Sequence, residues 1–562
     1  MDSYARTLIE RGNALFGKRS SLLSMWQEVA NNFYVERADF TVQRTIGTTF
    51  ADNLTTSFPL LARRELGDGL GSMLRPKEKE WFFCETTRQD RVDNQGKKWL
   101  EAATQTQRRA MYARASKFVR ATKEGDHDFG AFGQCAMSVQ LNRDGDDLLY
   151  RCWHLRDVAW VEDANGDVCE VHRKWKMFAR DAVKLFPRTA SARLRETAEK
   201  DPHTEVELRH VVMRAEDYDN PGASKKWRQP WVSIFVEADE MTMLEEVGSR
   251  GRVYIIPRWQ TVSGSQYAYS PATVAALPDA RLLQAMTLTL LEAGEKYTNP
   301  PMVAVQQAIR SDVALFAGGI TWVDQEYDER LGEVLRPLAQ DKGGMAIGRD
   351  LRNDVREMLE RCFYLNKLTG PNFSQMAGGK EMTAFEVGQR VQEYIRTALP
   401  LFEPMEQDYN GALCDETFDI LLHAGAFGPF ADMPRSLAGA DIRFRFESPL
   451  TEIIDAQKGQ KLINAKQLLA QVADVSPQSA HVVDWTAAYR DALEGSRTPM
   501  AWINSDQQVQ ALNDAAAQAQ QQQQLLGGMQ QAADVASTLG DAAGGFAKAG
   551  VTPGVPGTPV AA

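Results

Sequence analysis

Apolar residues recur at helical spacing through the first 130 or so positions of the chain. In SLLSMWQEVANNFY, residues Leu23, Trp26, Ala30 and Phe33 share one side of a helix that Ser21 is placed to cap. FPLLARRELGDGLGSML predicts a second helix, with Leu60, Arg64, Gly67, Gly71 and Leu74 along one side. Glycines weaken a helix, so three of them imply close packing against another backbone. From about 134 to 260 the period shortens to two. CAMSVQLNRDGDDLLYRCWHL and VAWVEDANGDVCEVHRKW both read as strand–turn–strand, with Asp-Gly and Asn-Gly at the turns. VELRHVVMRAED, WVSIFVEA and RVYIIPRW continue as strands, which predicts an antiparallel β region inserted in a helical frame.

Helical periodicity then returns. PDARLLQAMTLTLLEAGEKY places Pro278 in a first turn and is apolar around much of its circumference, through Leu282, Leu283, Met286, Leu290 and Leu291. Such a helix is expected to be buried. Residues 298–346 are compact and mixed, marked by Pro300-Pro301, Gly318-Gly319 and Gly343-Gly344. GRDLRNDVREMLERCFYL is a second helix, with a narrow stripe of Leu351, Val355, Met358, Leu359 and Cys362 and with Arg349, Arg352, Arg356 and Arg361 on its other faces.

A loop from Asn366 to Glu381 follows, holding Lys367, Lys380, Gly370-Pro371 and the pair Gly378-Gly379. Helix–helix connections usually take about 2 to 8 residues, and one of about 16 is functional or disordered. The next helix is firmly specified: Thr383 and Glu386 form a capping box, and Met382 and Val387 a hydrophobic staple. It runs to Leu399, is kinked or divided by Pro400 and Pro404, and resumes to His423. DIRFRFESP reads as a short strand. Ala/Gln-rich helical sequence extends to about 526, and residues 527–562 are too poor in large apolar side chains to order themselves.

These elements sum to a mainly helical, multi-domain α+β chain, and 562 residues are too many for one core. No apolar run approaches the roughly 18 residues that cross a bilayer, and the opening residues lack a signal peptide's apolar core. Six cysteines without a CxxC motif suggest neither zinc nor a disulfide framework. The expectation is a soluble, intracellular, reduced protein without a membrane partner. The formal net charge of −11 argues against a sequence-independent grip on nucleic acid, whose affinity comes largely from neutralising phosphates.

Candidate chemistry is thin. GNALFGKR, Gly12 to Arg19, matches a phosphate-binding loop until its last position, where Arg19 replaces the Ser or Thr that would hold magnesium, and no strand leads in. GGMAIGRD lacks both lysine and hydroxyl. GDGLGS lies inside a helix, not after a strand. NRDGDD and EDANGD lack the bidentate Glu of a calcium loop and are hairpin turns. The seven histidines form no HExxH. No catalytic, cofactor-binding or metal-binding residue stands out, and the chain is expected not to be an enzyme and to need no cofactor.

Four stretches carry a resemblance: ARRELGDGLGSMLRPKEKEWFF, VYIIPRWQTVSGSQYAYSPATVAALPDARLLQ, EMTAFEVGQRVQEYIRTALPLFEPM and DIRFRFESPLTEI. In these, and in element order over residues 1–500, the chain resembles the portal, or head-to-tail connector, proteins of short-tailed bacteriophages. The resemblance implies a ring, commonly of about twelve copies, at one capsid vertex, with double-stranded DNA passing through its centre during packaging and ejection. It implies a wing from 1–277 with the β insertion at about 134–260, and a stem helix at 278–297. A clip at 298–346, a second stem helix at 347–366 and a channel loop at 367–381 would follow. The wing's later helix and strand would occupy 382–450, a helical crown 451–526 and a tail 527–562. Terminase motor, tail or adaptor, capsid and scaffold proteins would be its partners, in the virion and, during assembly, in host cytoplasm. Lys367, Lys380, Arg352 and Arg356 would face DNA, Gly378 and Gly379 would hinge the loop, and Thr383 and Glu386 would anchor it. The alternatives are a ring-shaped adaptor or scaffold protein without a channel, and a packaging-motor enzyme, which would need the working phosphate loop that GNALFGKR is not.

Overall fold

The structure is a computed structural model that describes residues 3–45, 54–87, 92–220, 229–298, 302–304, 335–337, 343–368, 405–429, 432–446, 462–469, 483–495, 498–499, 502–505 and 507–524. The chain divides into two units. One comprises Met1–Gln89, Leu100–Met433 and Leu437–Gln457, and the other Asp90–Trp99, Pro434–Ser436 and Lys458–Ala562.

The first unit begins with helices α1 (Ser3–Lys18), α2 (Ser20–Phe33) and α3 (Phe58–Leu74). Helix α2 starts one residue before the expected cap, with Arg19 at its N-cap and no side-chain capping bond, so Ser21 is not a cap. Arg19 instead reaches into the body, where its guanidinium donates to the backbone carbonyls of Leu155, Arg156 and Val158. The last position of GNALFGKR is thus a structural clamp. Helix α3 buries Leu66, Gly67, Leu70 and Leu74 together with Arg63, while Arg64, expected on that side, is exposed. Arg63 is retained inside because it donates to the Phe33 carbonyl and lies 3.8 Å from the Tyr34 ring centre.

Two of its three glycines are closely packed as expected, but against side chains and not against a backbone. Against α3 lies α5 (Phe118–Phe132), which follows α4 (Asn94–Met111). A Cβ on Gly67 would stand 2.2 Å from the His127 ring, and one on Gly71 2.7 Å from the Asp126 carboxylate. Three polar residues of α5, Asp126, His127 and Asp128, are therefore inside the core. Burial, and then the Arg63 guanidinium 3.0 Å away, push His127 down to about 4. Asp68, Lys123 and Asp128 complete its charged surroundings. An unfolded histidine near 6.5 binds a proton that the folded one refuses, so stability is full above pH 6.5 and falls as pH drops towards 4. We expect a loss of about 3 kcal/mol across that window, measured by urea denaturation. His127→Gln should flatten the slope, with a residue left by His210, which burial also lowers.

The expectation of helix alone to residue 130 fails at WFFCET. Strand β1 (Phe82–Thr86) pairs antiparallel with a strand from the far end of the unit, Ile442–Phe446, with Phe82 opposite Phe446. That later strand is the predicted DIRFRF. The two β hairpins are as expected: β2 (Ala136–Leu141) with β3 (Leu148–Trp153), and β4 (Val158–Glu162) with β5 (Val168–Phe178). Asn142 Oδ1 accepts from the Gly145 and Asp146 amides, and Asp163 Oδ1 from Asn165 and Asp167, which ties each turn locally.

Strands β4 and β5 continue through β6 (Glu205–Arg214), β7 (Trp231–Glu237) and β8 (Thr242–Ser249) as one five-stranded antiparallel meander, and β9 (Tyr254–Ile255) joins β2. Helix α1 covers one face through Leu8 and Ile9 on Val211, Val232 and Ile234. The short helices α6 (Ala179–Leu185) and α7 (Ala192–Lys200) cover part of the other. Strand β8 and these two helices carry weak periodicity and were not expected.

Later in the unit, Met405–Gly411 is wound as a π-helix that leads into a helix at Ala412–His423. The wider turn buries Tyr409 and Asn410. In the second unit, residues 462–469, Trp485–Gly495 and 507–524 are helical. Residues 527–562 lie outside the described residues.

Candidate functional site, a pair of antiparallel helices

Two long helices leave the core of the first unit together. Helix α8 spans Pro271–Thr298, so it begins seven residues before the expected start, and Pro278 is interior. Proline removes one backbone donor there. Helix α9 spans Gly343–Cys362, which places Gly343-Gly344 in its first turn and not in the preceding mixed region. Leu290, late in α8, meets Gly348, early in α9, where a Cβ would stand 2.8 Å from Leu290 Cδ2. The helices therefore run antiparallel in close contact. Their far ends are linked by residues 299–342, of which β10 (Met302–Ala304) and β11 (Leu335–Pro337) pair antiparallel.

The near ends are locked into the core. Ala272, Ala276, Ala280 and Leu283 of α8 and Leu359 of α9, with Phe363 just after it, are buried in the main apolar cluster. Ser270 Oγ donates to the Gly130 carbonyl and Thr273 Oγ1 to that of Ala131, both at 2.7 Å. The Gln284 amide accepts from the Thr55 and Thr56 amides and donates to the Thr56 carbonyl. Arg281 is ion-paired with Glu28.

Within one chain α8 is buried along one side only. Its buried residues are confined to one stripe ending at Thr287, while Leu282, Leu288 and Leu291 are 48%, 48% and 54% exposed. Two antiparallel helices can shield only one side of each other, so the remaining apolar side chains face outward. Among the described residues α8 is the helix long and apolar enough to cross a membrane, but its first half is seated in the protein core. Helix α9 repeats the pattern, with Ile347, Leu351 and Met358 on one side and 51–63% exposed.

The basic residues lie elsewhere on α9. Arg349 is exposed, whereas Arg352 and Arg356 are half-buried, each with a buried Nε that has no hydrogen-bond partner among the described residues. The Arg356 guanidinium sits 5.3 Å from the Phe58 ring centre. Asn366 and Lys367 belong to a four-residue helix, α10 (Leu365–Leu368), and not to the loop expected to start at 366. Tyr364, at φ +55°, turns the chain between the two helices, and its ring lies 5.1 Å from Lys367 Nζ. Lys380, Gly378, Gly379, Thr383 and Glu386 lie outside the described residues.

Sequence reasoning missed the ionic ties beneath this pair. Arg37 binds Asp128 through two bonds of 3.0 and 2.9 Å, and Arg75 bonds Asp126 and Asn410. Burial pulls the Arg75 pKa down, but Asp126 and then Tyr409 more than offset it, so the guanidinium stays charged. The available signal was three consecutive polar residues within the Gly- and Phe-containing stretch EGDHDFGAF.

A model of the bacteriophage head to tail connecting protein family matches residues 5–501, a span that includes both long helices and their base. The chain belongs to this family. A probable portal protein of Bordetella phage BPP-1 is 26% identical over 561 residues, covering 95% of each chain. The portal protein of Salmonella phage epsilon15 is 23% identical over 493 residues, covering 86% of this chain and 85% of its own. A chain from the virion of a native gene transfer agent particle aligns over 80% of this chain at 9% identity, with a TM-score of 0.31, too low to carry an argument about fold. As a connecting protein the chain is structural and not an enzyme.

Proposed function

We propose that this connector chain is a portal subunit whose copies close into a ring at the capsid vertex, with double-stranded DNA passing through the centre. In this reading α8 and α9 form the stem, and residues 299–342 between them a clip that docks the terminase motor and the tail or adaptor proteins. Residues 1–270 and 382–450 form a wing against capsid and scaffold proteins, and 451–526 a crown. Arg352, Arg356, Lys367 and Lys380 supply weak cationic contacts to DNA, and the loop after α10, residues 369–381, is the channel element. The subunit works in the virion and is assembled in host cytoplasm.

The observation that carries the proposal is the exposed apolar surface on both long helices. Side chains such as Leu288, Leu291, Ile347 and Leu351 are stable in water only if something covers them, and a second copy offers the matching surface. Contacts between unlike faces of successive copies generate rings when the rotation closes. The acidity supports a channel that does not hold its cargo: a dozen copies carry a formal charge of roughly −130, which opposes tight phosphate binding.

Negative-stain imaging of the purified chain tests the reading. We expect rings with a central hole, and weak duplex binding with a shallow salt dependence. Monomers at every concentration, in the presence and absence of scaffold protein, would overturn it. Rings with a closed centre would favour the adaptor reading.

A further inference from the structure

Between α3 and α5 a slot of about 170 Å³ opens to the surface, away from the stem pair. Gly67, Gly71 and Ser72 of α3 line one side of it, and Tyr112, Phe118 and Val119 supply an apolar wall. Val119 is 54% exposed although it sits beside buried Phe118, so the wall faces open space. An apolar cavity of about 150 Å³ accommodates benzene, so this one admits a single ring or branched aliphatic group.

Its polar lining is unevenly paired. Arg75 is neutralised by Asp126 at the floor, and Lys123 by Asp68 at 3.0 Å. Lys77 lines the same slot, and among the described residues no carboxylate lies within ion-pair distance of its ammonium group. The Tyr112 hydroxyl accepts a 3.1 Å bond from Trp81 Nε1, which leaves its own proton to donate. One uncompensated cation and one hydroxyl donor thus stand beside an apolar wall.

We propose that this slot is a binding site for an organic carboxylate with one apolar group, its body against Phe118 and Val119 and its carboxylate on Lys77 and Tyr112. The site is independent of the portal reading. Two sources have this chemistry: a free small carboxylate, and the terminal residue of a partner polypeptide.

Ligand-observed saturation-transfer NMR on the full chain tests it, with 4-phenylbutyrate, its neutral amide, and a tetrapeptide ending in a free phenylalanine as probes. The carboxylate should bind saturably and roughly tenfold more tightly than the amide, as a charge-assisted bond does. Lys77 is exposed, so Lys77→Met should fold normally by circular dichroism. It should bring phenylbutyrate down to the amide's affinity and leave the amide unchanged. Tighter binding of the tetrapeptide identifies a polypeptide terminus as the ligand, and tighter binding of phenylbutyrate a small carboxylate. Equal binding of acid and amide, unaltered binding to Lys77→Met, or binding of none of the probes overturns the proposal.

Discussion

A chain carrying Ile347→Asp and Leu351→Asp is expected to sediment as a folded monomer under conditions where the unaltered chain, on the proposed function, assembles into rings. Both side chains are more than half exposed in the subunit, so the substitutions cost it little, within about 0.5 kcal/mol for surface positions. In the proposed interface the same side chains are covered. Burying a Leu or Ile contributes about 1.5–3 kcal/mol, so each subunit contact loses roughly 3–6 kcal/mol, and two carboxylates are stranded in apolar surroundings besides. At about 1.4 kcal/mol per decade, that weakens each contact by two to four orders of magnitude. Sedimentation velocity reads assembly, and circular dichroism reads the fold. Rings that persist with both substitutions would remove this side of α9 from the interface. Substituting Arg349, on another face of α9, serves as the matched control.

The second large effect lies in the core. Asp126→Ala is expected to cost about 3–5 kcal/mol, because it leaves the Arg75 guanidinium, whose side chain is only 3% exposed, without its anion. Asn410 Oδ1, 2.6 Å from Arg75 Nη1, would remain a partner but carries no charge. Adding Arg75→Met to Asp126→Ala should recover much of the loss, since a matched apolar replacement removes the stranded charge. Denaturant midpoints of the two single variants and the double variant form the cycle that separates pair from packing. A single-variant cost below about 1 kcal/mol would mean that water reaches Arg75 and that the pair contributes little.

These two experiments address different levels of the same construction. The Arg75–Asp126 and Arg37–Asp128 ties hold α5 against α3 and the short segment after α2. Helix α5 supplies the Gly130 and Ala131 carbonyls that receive the base of α8. A weakened core should therefore loosen the root of the α8–α9 pair before it affects the exposed leucines further out.

By itself the sequence determined the local structure. The turns at NRDGDD and EDANGD, the two β hairpins and the tight packing at Gly67 and Gly71 follow from side chains acting on backbone within a few residues, or from the absence of a Cβ. The failure of GNALFGKR as a phosphate loop was legible in one residue, Arg19, and the family was legible in the order of the elements. Only the tertiary structure decided the rest. WFFCET becomes a strand because its partner, IRFRF, arrives from the other end of the unit. Arg63 is buried and Arg64 exposed because the Phe33 carbonyl and the Tyr34 ring lie on one side of α3. The apolar circumference of α8 was visible, but it does not say how much of that surface the subunit itself covers. Periodicity records which residues share a face; what lies against the face depends on segments hundreds of positions away, and their contacts are chosen by the packing of the whole core.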